Sequence, residues 1–394
     1  MFGRFFQVLP IIVISQFLCT SLWFAGNGVM TDLVTRFNLP GNTLEYLTSA
    51  VQLGFIFGTL IFAVFTVADR YSPSKVFFVS ALSGALFNLG TVWEGNHLYS
   101  LLCFRFLTGF FLAGIYPVGM KIAADYYERG LGRSLGFLVG ALVLGTAFPH
   151  FLKGITAAFN WKSVLVSTSL LALCGGVLML YLIPDGPYRK SGGKVDFSAF
   201  LAIFRNRPFR QAALGYFGHM WELYAFWAFV PLMLGTYRDM NEALELNVPL
   251  VSFCIIAVGG LACVLAGYLS QYMGAKRTAF TALLLSCICC LVSPLLFLQP
   301  SATVFIGFLL FWGMVVIADS PLFSTLVARN ALPKIKGTAL TMVNSIGFAV
   351  TILSIQFLGA ARQITSSNTV YMLLALGPVL GLWAMYGKNH RNSV

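Results

Sequence analysis

Charge is what this 394-residue chain has least of. Only 10% of its residues are Asp, Glu, Lys or Arg, against about 25% in a soluble globular protein. Acids are scarcest, at 13 Asp and Glu, and there are only 4 histidines. A chain with a mean hydropathy of +0.83 lacks the polar surface to cover a water-soluble body. That excludes a cytosolic enzyme, a nucleic-acid-binding domain, a disulfide-stapled secreted module and a disordered chain. No Walker-type lysine loop is present, so ATP does not drive its work. The histidines, at 97, 150, 219 and 390, lack the spacing of a metal site. The Ser and Cys residues lack an evident base, so no enzyme is expected.

What the chain does have is long apolar runs. About 20 apolar residues cross a bilayer core, and twelve such runs are readable: 5–29, 43–66, 75–93, 97–121, 134–152, 163–183, 209–234, 248–270, 277–298, 302–328, 337–359 and 368–387. They are numbered here as spans 1 to 12. Breaks fall at turn formers such as Pro40-Gly41-Asn42 and Pro184-Asp185-Gly186-Pro187. The short alternating segments of a membrane β-barrel are absent. The first run is too long for a signal peptide and has no clear cleavage site, so it is taken as span 1. The expected fold is all-α and integral to the membrane.

The net charge of +12 reports topology rather than a polyanion partner. With the N-terminus in the cytoplasm, 19 of the 25 Lys and Arg fall on the inner side. They form groups at Arg4, Arg70 and Lys75, Lys121 to Arg133, Arg189 to Arg210, Lys276 and Arg277, Arg329 to Lys336, and Lys388 and Arg391. Five, namely Arg36, Lys153, Lys162, Arg238 and Arg362, fall outside, and Arg105 lies within a span. The excess places both termini in the cytoplasm of a multi-pass inner (plasma) membrane protein. The two ends are named outer and cytoplasmic by this rule. All eight cysteines fall in spans; Cys287, Cys289 and Cys290 are read as small apolar filler.

The chain repeats itself. Gln7 and Trp23 match Gln211 and Trp227 at an offset of 204 residues, and Pro117 matches Pro321 at the same offset. The loops after spans 2 and 8 align Asp69 and Lys75 with Gln271 and Arg277 at 202, and Gly132 aligns with Gly337 at 205. One shift aligning separate landmarks signals a parallel internal duplication. The expected division is a six-helix bundle over 1–183, a cytoplasmic linker over 184–208 and a second six-helix bundle over 209–394.

Twelve spans, two repeated halves and this loop chemistry resemble the major facilitator superfamily over nearly the whole chain. Asp69, Arg70 and Lys75 fit the family's loop after helix 2, although Phe65 stands where its leading glycine is usual. The second copy keeps Gly267, Lys276 and Arg277 and replaces the acid with Gln271. Arg105, Gly109, Ala113 and Gly114 fit the family's helix 4 pattern. The resemblance implies that spans 1, 4, 7 and 10 line a central cavity, with 2, 5, 8 and 11 beside them and 3, 6, 9 and 12 facing lipid. It also implies that Arg105 faces helix 1. The exporters' Gly-Pro mark in helix 5 is degenerate, since Gly145 and Pro149 are separated, and the nitrate porters' arginines in helices 2 and 8 are missing.

An acid at the end of span 2 can pair with bases or a neighbouring helix terminus. Asp69, with Arg70, Lys75 and Arg277, is therefore read as a cytoplasmic gate, with Lys121 set aside as a snorkelling side chain. A charge at membrane depth costs at least about 2.5–3.5 kcal/mol and needs a reason. His219 and Glu222 are three apart and share a face of span 7. They suggest proton coupling or substrate binding, against a buried acid bonded to a neighbouring helix. Asp319, beside a kink expected at Pro321, is either a proton or cation site or a repair of broken hydrogen bonding. Arg105 steers protons, attracts an anion or pairs with an acid to hold the bundle. Gln16, Thr20, Trp23 and Asn27 form a polar stripe on span 1 at helical spacing. With Gln52, Trp227 and Asn344 they are the candidate cavity residues.

The reading is a monomeric secondary transporter of a small polar or amphipathic organic solute. It works by alternating access and uses a proton gradient, with no cofactor, no metal and no nucleic-acid partner. A proton-driven drug or metabolite exporter is the alternative. A sensor or assembly protein that kept the fold without transport is the reading from another class.

Overall fold

The computed structural model describes residues 2–127, 131–155, 160–189, 202–241, 244–332, 335–365 and 367–386, with side chains from residue 8 and, in span 5, from residue 134. The side chains of Arg4, Gln7, Arg129, Arg133, Lys190, Lys194, Lys334, Lys388 and Arg391, and most of the linker, lie outside it. The described residues of the spans are mainly helical, with breaks in spans 1, 4 and 10, and contain no strand. Nine helices among them are long and apolar enough to cross a membrane. Spans 1, 3 and 7 are helical too, but span 1 is interrupted. Spans 3 and 7 are Pro73–Gly90 and Arg207–Met240. The arrangement is two six-helix bundles joined through a duplicated plan.

Helix breaks carry most of the departures from the predicted runs. Span 1 is not one helix over 5–29. It runs Phe2–Thr20, turns through Ser21–Phe24, and resumes as Ala25–Gly28 and Met30–Phe37. Span 4 runs Leu98–Leu112, breaks at Ala113–Ile115 and continues over Tyr116–Tyr126. Span 10 runs Ala302–Ala318, breaks at Asp319 and continues over Ser320–Asn330. The prolines explain the second and third breaks. Pro117 and Pro321 each sit in the first turn of the new helix, where a missing N–H costs nothing. Pro321 thus starts a helix rather than bending one.

The duplication shows in the backbone crossings. A Cβ on Gly109 would lie 2.0 Å from the Val51 carbonyl oxygen, and one on Gly313 would lie 2.1 Å from that of Ile255. Both members of each pair are related by 204 residues. Spans 2 and 4 therefore cross as closely as spans 8 and 10, and only glycine permits it.

The halves meet along spans 2 with 11 and 5 with 8. Gln356 donates to Ser49 at 2.9 Å and Asn247 to the Gly154 carbonyl at 3.0 Å, and Phe151 packs on Phe253. Glu45 presses against Gly359. All of these contacts lie toward the outer end. At the cytoplasmic side, a Cβ on Gly136, Gly267 or Gly337 would meet nothing within 4 Å.

Candidate functional site

The central region is built where the halves join. Trp23 of span 1 stacks on Tyr224 of span 7 at 5.8 Å and on Phe348 of span 11 at 5.6 Å. Phe55 of span 2 contacts both Trp23 and Phe348, and Trp227 closes on Tyr224 edge-on at 5.2 Å. Trp23 and Trp227, matched by the duplication, thus flank one tyrosine. Both are buried, and neither indole N–H has an acceptor. The amides of Gln16 and Gln52 are buried and unbonded as well.

His219 and Glu222 do not act on each other's behalf. His219 Nδ1 lies 2.8 Å from Asp319 Oδ1, with both side chains 1% exposed. Asp319 sits in the break of span 10, which turns its carboxyl toward span 7. Among the described residues neither carboxylate oxygen of Asp319 nor His219 Nε2 makes a hydrogen bond. Tyr216 and Phe323 lie on the imidazole, each with a centroid separation of 6.0 Å. Helical spacing put His219 near Glu222; the partner it finds is across the bundle.

Glu222 turns into the interior of the second half. It accepts from Trp312 Nε1 at 2.6 Å, Ser286 Oγ at 2.8 Å and Cys290 Sγ at 3.3 Å. Three donors from spans 9 and 10 satisfy it, as expected of a buried acid that fastens helices. Cys290 is therefore a donor to this acid and not mere filler. No cluster suited to a metal ion occurs among the described residues.

Arg105 faces span 1, but it pairs with no acid among the described residues. Its guanidinium donates to the Leu22 carbonyl at 3.2 Å, the Trp23 carbonyl at 2.5 Å and Asn88 Oδ1 at 3.1 Å. The turn after Thr20 leaves the Trp23 carbonyl without a backbone donor and the Leu22 carbonyl with only a 3.4 Å bond from the Ala25 N–H, and in a membrane such carbonyls need a partner. Asn88 is held in turn by Leu165, Thr168 and Ser169. Arg105 is therefore a brace for the broken helix. Nothing in its own sequence neighbourhood announced Asn88.

The polar stripe of span 1 dissolves at the same break. Thr20 bonds back to Gln16 O at 2.8 Å. Asn27 donates to Thr48 Oγ1 of span 2 at 2.8 Å. Asn344 accepts from Tyr216 at 2.6 Å. Thr20, Asn27 and Asn344 are tied to the protein, while Gln16, Trp23, Gln52 and Trp227 keep unused polar atoms.

At the cytoplasmic end, Lys121 is a partner and not a bystander. Its ammonium lies 3.1 Å from Asp69 and 3.4 Å from Asp125, while Arg189 donates to the Asp69 and Tyr71 carbonyls. Arg70, Lys75 and Arg277 are exposed and form no ion pair among the described residues. Where a glycine was usual, Phe65 ends the helix, and the next residue, Thr66, takes a left-handed φ of 49°.

This framework matches known proteins along its length. A sequence profile of the Major Facilitator Superfamily matches residues 12–355. The chain belongs to the major facilitator superfamily. It is 21% identical over 375 residues to the bicyclomycin resistance protein homolog of Haemophilus influenzae, covering 92% of this chain and 90% of that one. It is 29% identical over 172 residues to the 4-hydroxybenzoate transporter PcaK of Pseudomonas aeruginosa, a match spanning 41% of this chain and only 36% of that protein. Among solved structures, the partially occluded inward-open xylose transporter XylE from E. coli superposes with a TM-score of 0.75 at 14% identity over the whole of both chains. The nucleoside transporter NupG superposes with 0.74 at 15% identity, covering 96% of this chain and 100% of that chain. Such identities establish the fold. With the superfamily match, they make the chain a multi-pass membrane transporter and not an enzyme.

Proposed function

We propose that this transporter moves a small polar or amphipathic organic solute by alternating access, and that the His219–Asp319 pair couples the movement to protons. The observation that carries the coupling is the 2.8 Å approach of His219 Nδ1 to Asp319 Oδ1, in which both carboxylate oxygens and His219 Nε2 are left without a hydrogen bond among the described residues. A buried acid beside a histidine, at the break of a cavity helix, can exchange a proton when access changes sides. Glu222 does not share this role, because three donors already hold it.

The arrangement reads as open toward the cytoplasm. The halves bond through their outer ends, while Gly136, Gly267 and Gly337 have open space beside them. In this state Asp69 is latched to Lys121 of its own half. We place both termini in the cytoplasm, take the protein as a monomer, and take the proton gradient, without a bound cofactor, as the driving force. The relatives' names range over hydroxybenzoate, bicyclomycin, xylose and nucleoside, so they do not select a solute.

The test is solute accumulation in proteoliposomes under an imposed pH gradient, across pentoses, nucleosides, hydroxybenzoates and neutral amphiphiles. Asp319→Asn should abolish gradient-driven accumulation while solute exchange persists. Glu222→Gln should keep the pH response. Accumulation by Asp319→Asn that still tracks the pH gradient sinks the coupling assignment.

A further inference from the structure

Four tryptophans, the buried Trp23, Trp227 and Trp312 and the half-buried Trp221, divide into two kinds by what their N–H groups meet. Trp312 donates to Glu222 at 2.6 Å and Trp221 to the Leu373 carbonyl at 3.1 Å. Trp23 and Trp227 donate to nothing. A buried indole normally finds an acceptor, because a sealed donor without one loses its hydrogen bond to water. The protein thus supplies acceptors for the two tryptophans that serve packing and none for the two that flank Tyr224. The unbonded pair is also the pair repeated at 204 residues, one from each half, at the seam that alternating access must open and close.

The surroundings narrow the occupant further. Rings line the place: Tyr224 and Phe348 stack on Trp23, and Phe55 packs beside them. The amide of Gln52 from span 2 is another buried polar group with no partner. Among the described residues no buried Lys or Arg is free to hold an anion. Arg105 is the one Lys or Arg among the described residues that is fully buried, and two backbone carbonyls and Asn88 occupy its guanidinium. The buried acid of span 10, Asp319, already has His219 beside it.

Resting on the transport reading above, we infer that the solute is an uncharged, ring-bearing molecule whose carbonyl or hydroxyl oxygens accept hydrogen bonds from the indole N–H groups of Trp23 and Trp227. The surrounding rings supply apolar contact area, and the two donors select oxygens. A carboxylate of the same shape would enter without a countercharge, which a low-dielectric site penalises.

Four matched probes on purified, nanodisc-embedded full-length protein decide this: 4-hydroxybenzamide, 4-hydroxybenzoate, 4-hydroxybenzylamine and 4-ethylphenol, with xylose as a ringless control. The amide should bind at least ~10-fold tighter than the carboxylate, the amine or 4-ethylphenol at neutral pH, as expected for one hydrogen bond gained or one charge avoided. Trp23→Phe and Trp227→Phe, which keep a ring and delete the N–H, should each weaken the amide about tenfold. The ethylphenol comparison needs no variant, so it stands even if a tryptophan substitution misfolds. Binding of the carboxylate, the amine or xylose as tight as that of the amide overturns the inference. So does amide binding indifferent to the missing oxygen, or no amide binding at all. Asp319-dependent accumulation of a carboxylate or a sugar would retain the coupling reading while this inference fails. Tryptophan-dependent amide binding with Asp319-independent accumulation would do the reverse.

Discussion

Spans 4 and 10 break at equivalent residues, Ile115 and Asp319, 204 positions apart, and both resume with a proline in the first turn. A Cβ on Gly109 or Gly313 would lie 2.0 or 2.1 Å from equivalent carbonyl oxygens of the partner helix. The backbone is thus the same device used twice. The side chains are not. The first half fills its break with an isoleucine that is fully buried, and the second with an acid reaching a histidine. The first half places its buried charge ten residues earlier, at Arg105, where it braces span 1. Duplication fixed the geometry of both breaks, and substitution gave only one of them an acid beside a histidine.

Removing the brace should have the largest effect. Arg105→Leu strands the Trp23 carbonyl and Asn88 Oδ1 and leaves the Leu22 carbonyl only its long bond from the Ala25 N–H. Hydrogen bonds to a charged group contribute about 1.5–3 kcal/mol each, so a loss on the order of 3 kcal/mol or more is expected. The readout is a large fall in Tm or loss of folded protein in detergent. An unchanged Tm would mean the break in span 1 needs no brace.

Glu222→Leu comes next. It leaves the donors of Trp312, Ser286 and Cys290 unmet, at about 1–3 kcal/mol for an unsatisfied buried group. Stability should fall while the pH dependence of transport stays put. A shifted pH profile with normal stability would return Glu222 to the coupling role.

The equivalence itself can be broken at its glycines. Gly109→Ala and Gly313→Ala each drive a methyl into a carbonyl, and overpacking costs about 1–3 kcal/mol. Similar falls in Tm are expected from the two, and a tolerated alanine at one position would show that the halves cross differently.

The smallest effect belongs to the outer surface of the first half. Glu94 meets Lys162 and Arg36, and the hydrogen bond from Lys162, then that from Arg36, holds its carboxyl below the usual carboxylate value. A carboxyl depressed on folding adds stability above its unfolded pKa of about 4.3, which is lost as pH falls through the folded value. Glu94→Gln should therefore lower Tm slightly at neutral pH and remove part of its decline in acid. Because the pair is exposed, high salt should erase the difference.

Much of the scaffold was legible because it follows from local spacing. Apolar run length gave the spans, and matched landmarks such as Trp23 with Trp227 gave the repeat. Legibility failed where a helix stops. The stripe Gln16, Thr20, Trp23 and Asn27 presumes an unbroken helix, and the turn after Thr20 sends its members to different partners. The pairing of His219 with Glu222 presumed that neighbours on one face act together, yet each is claimed by another helix. Lys121, dismissed for lying near a helix end, is the residue that meets Asp69.

The sequence by itself determined that the chain lives in a bilayer, that it is built twice and that few charges lie at depth. Those follow from composition and period, which the solvent enforces residue by residue. Which of the buried charges are spent and which are spare was decided only by tertiary structure. A hydrogen bond is made across helices that lie far apart in the chain. Asn88 and Trp312, which absorb Arg105 and Glu222, are 17 and 90 residues away from them, and no local spacing encodes such a meeting.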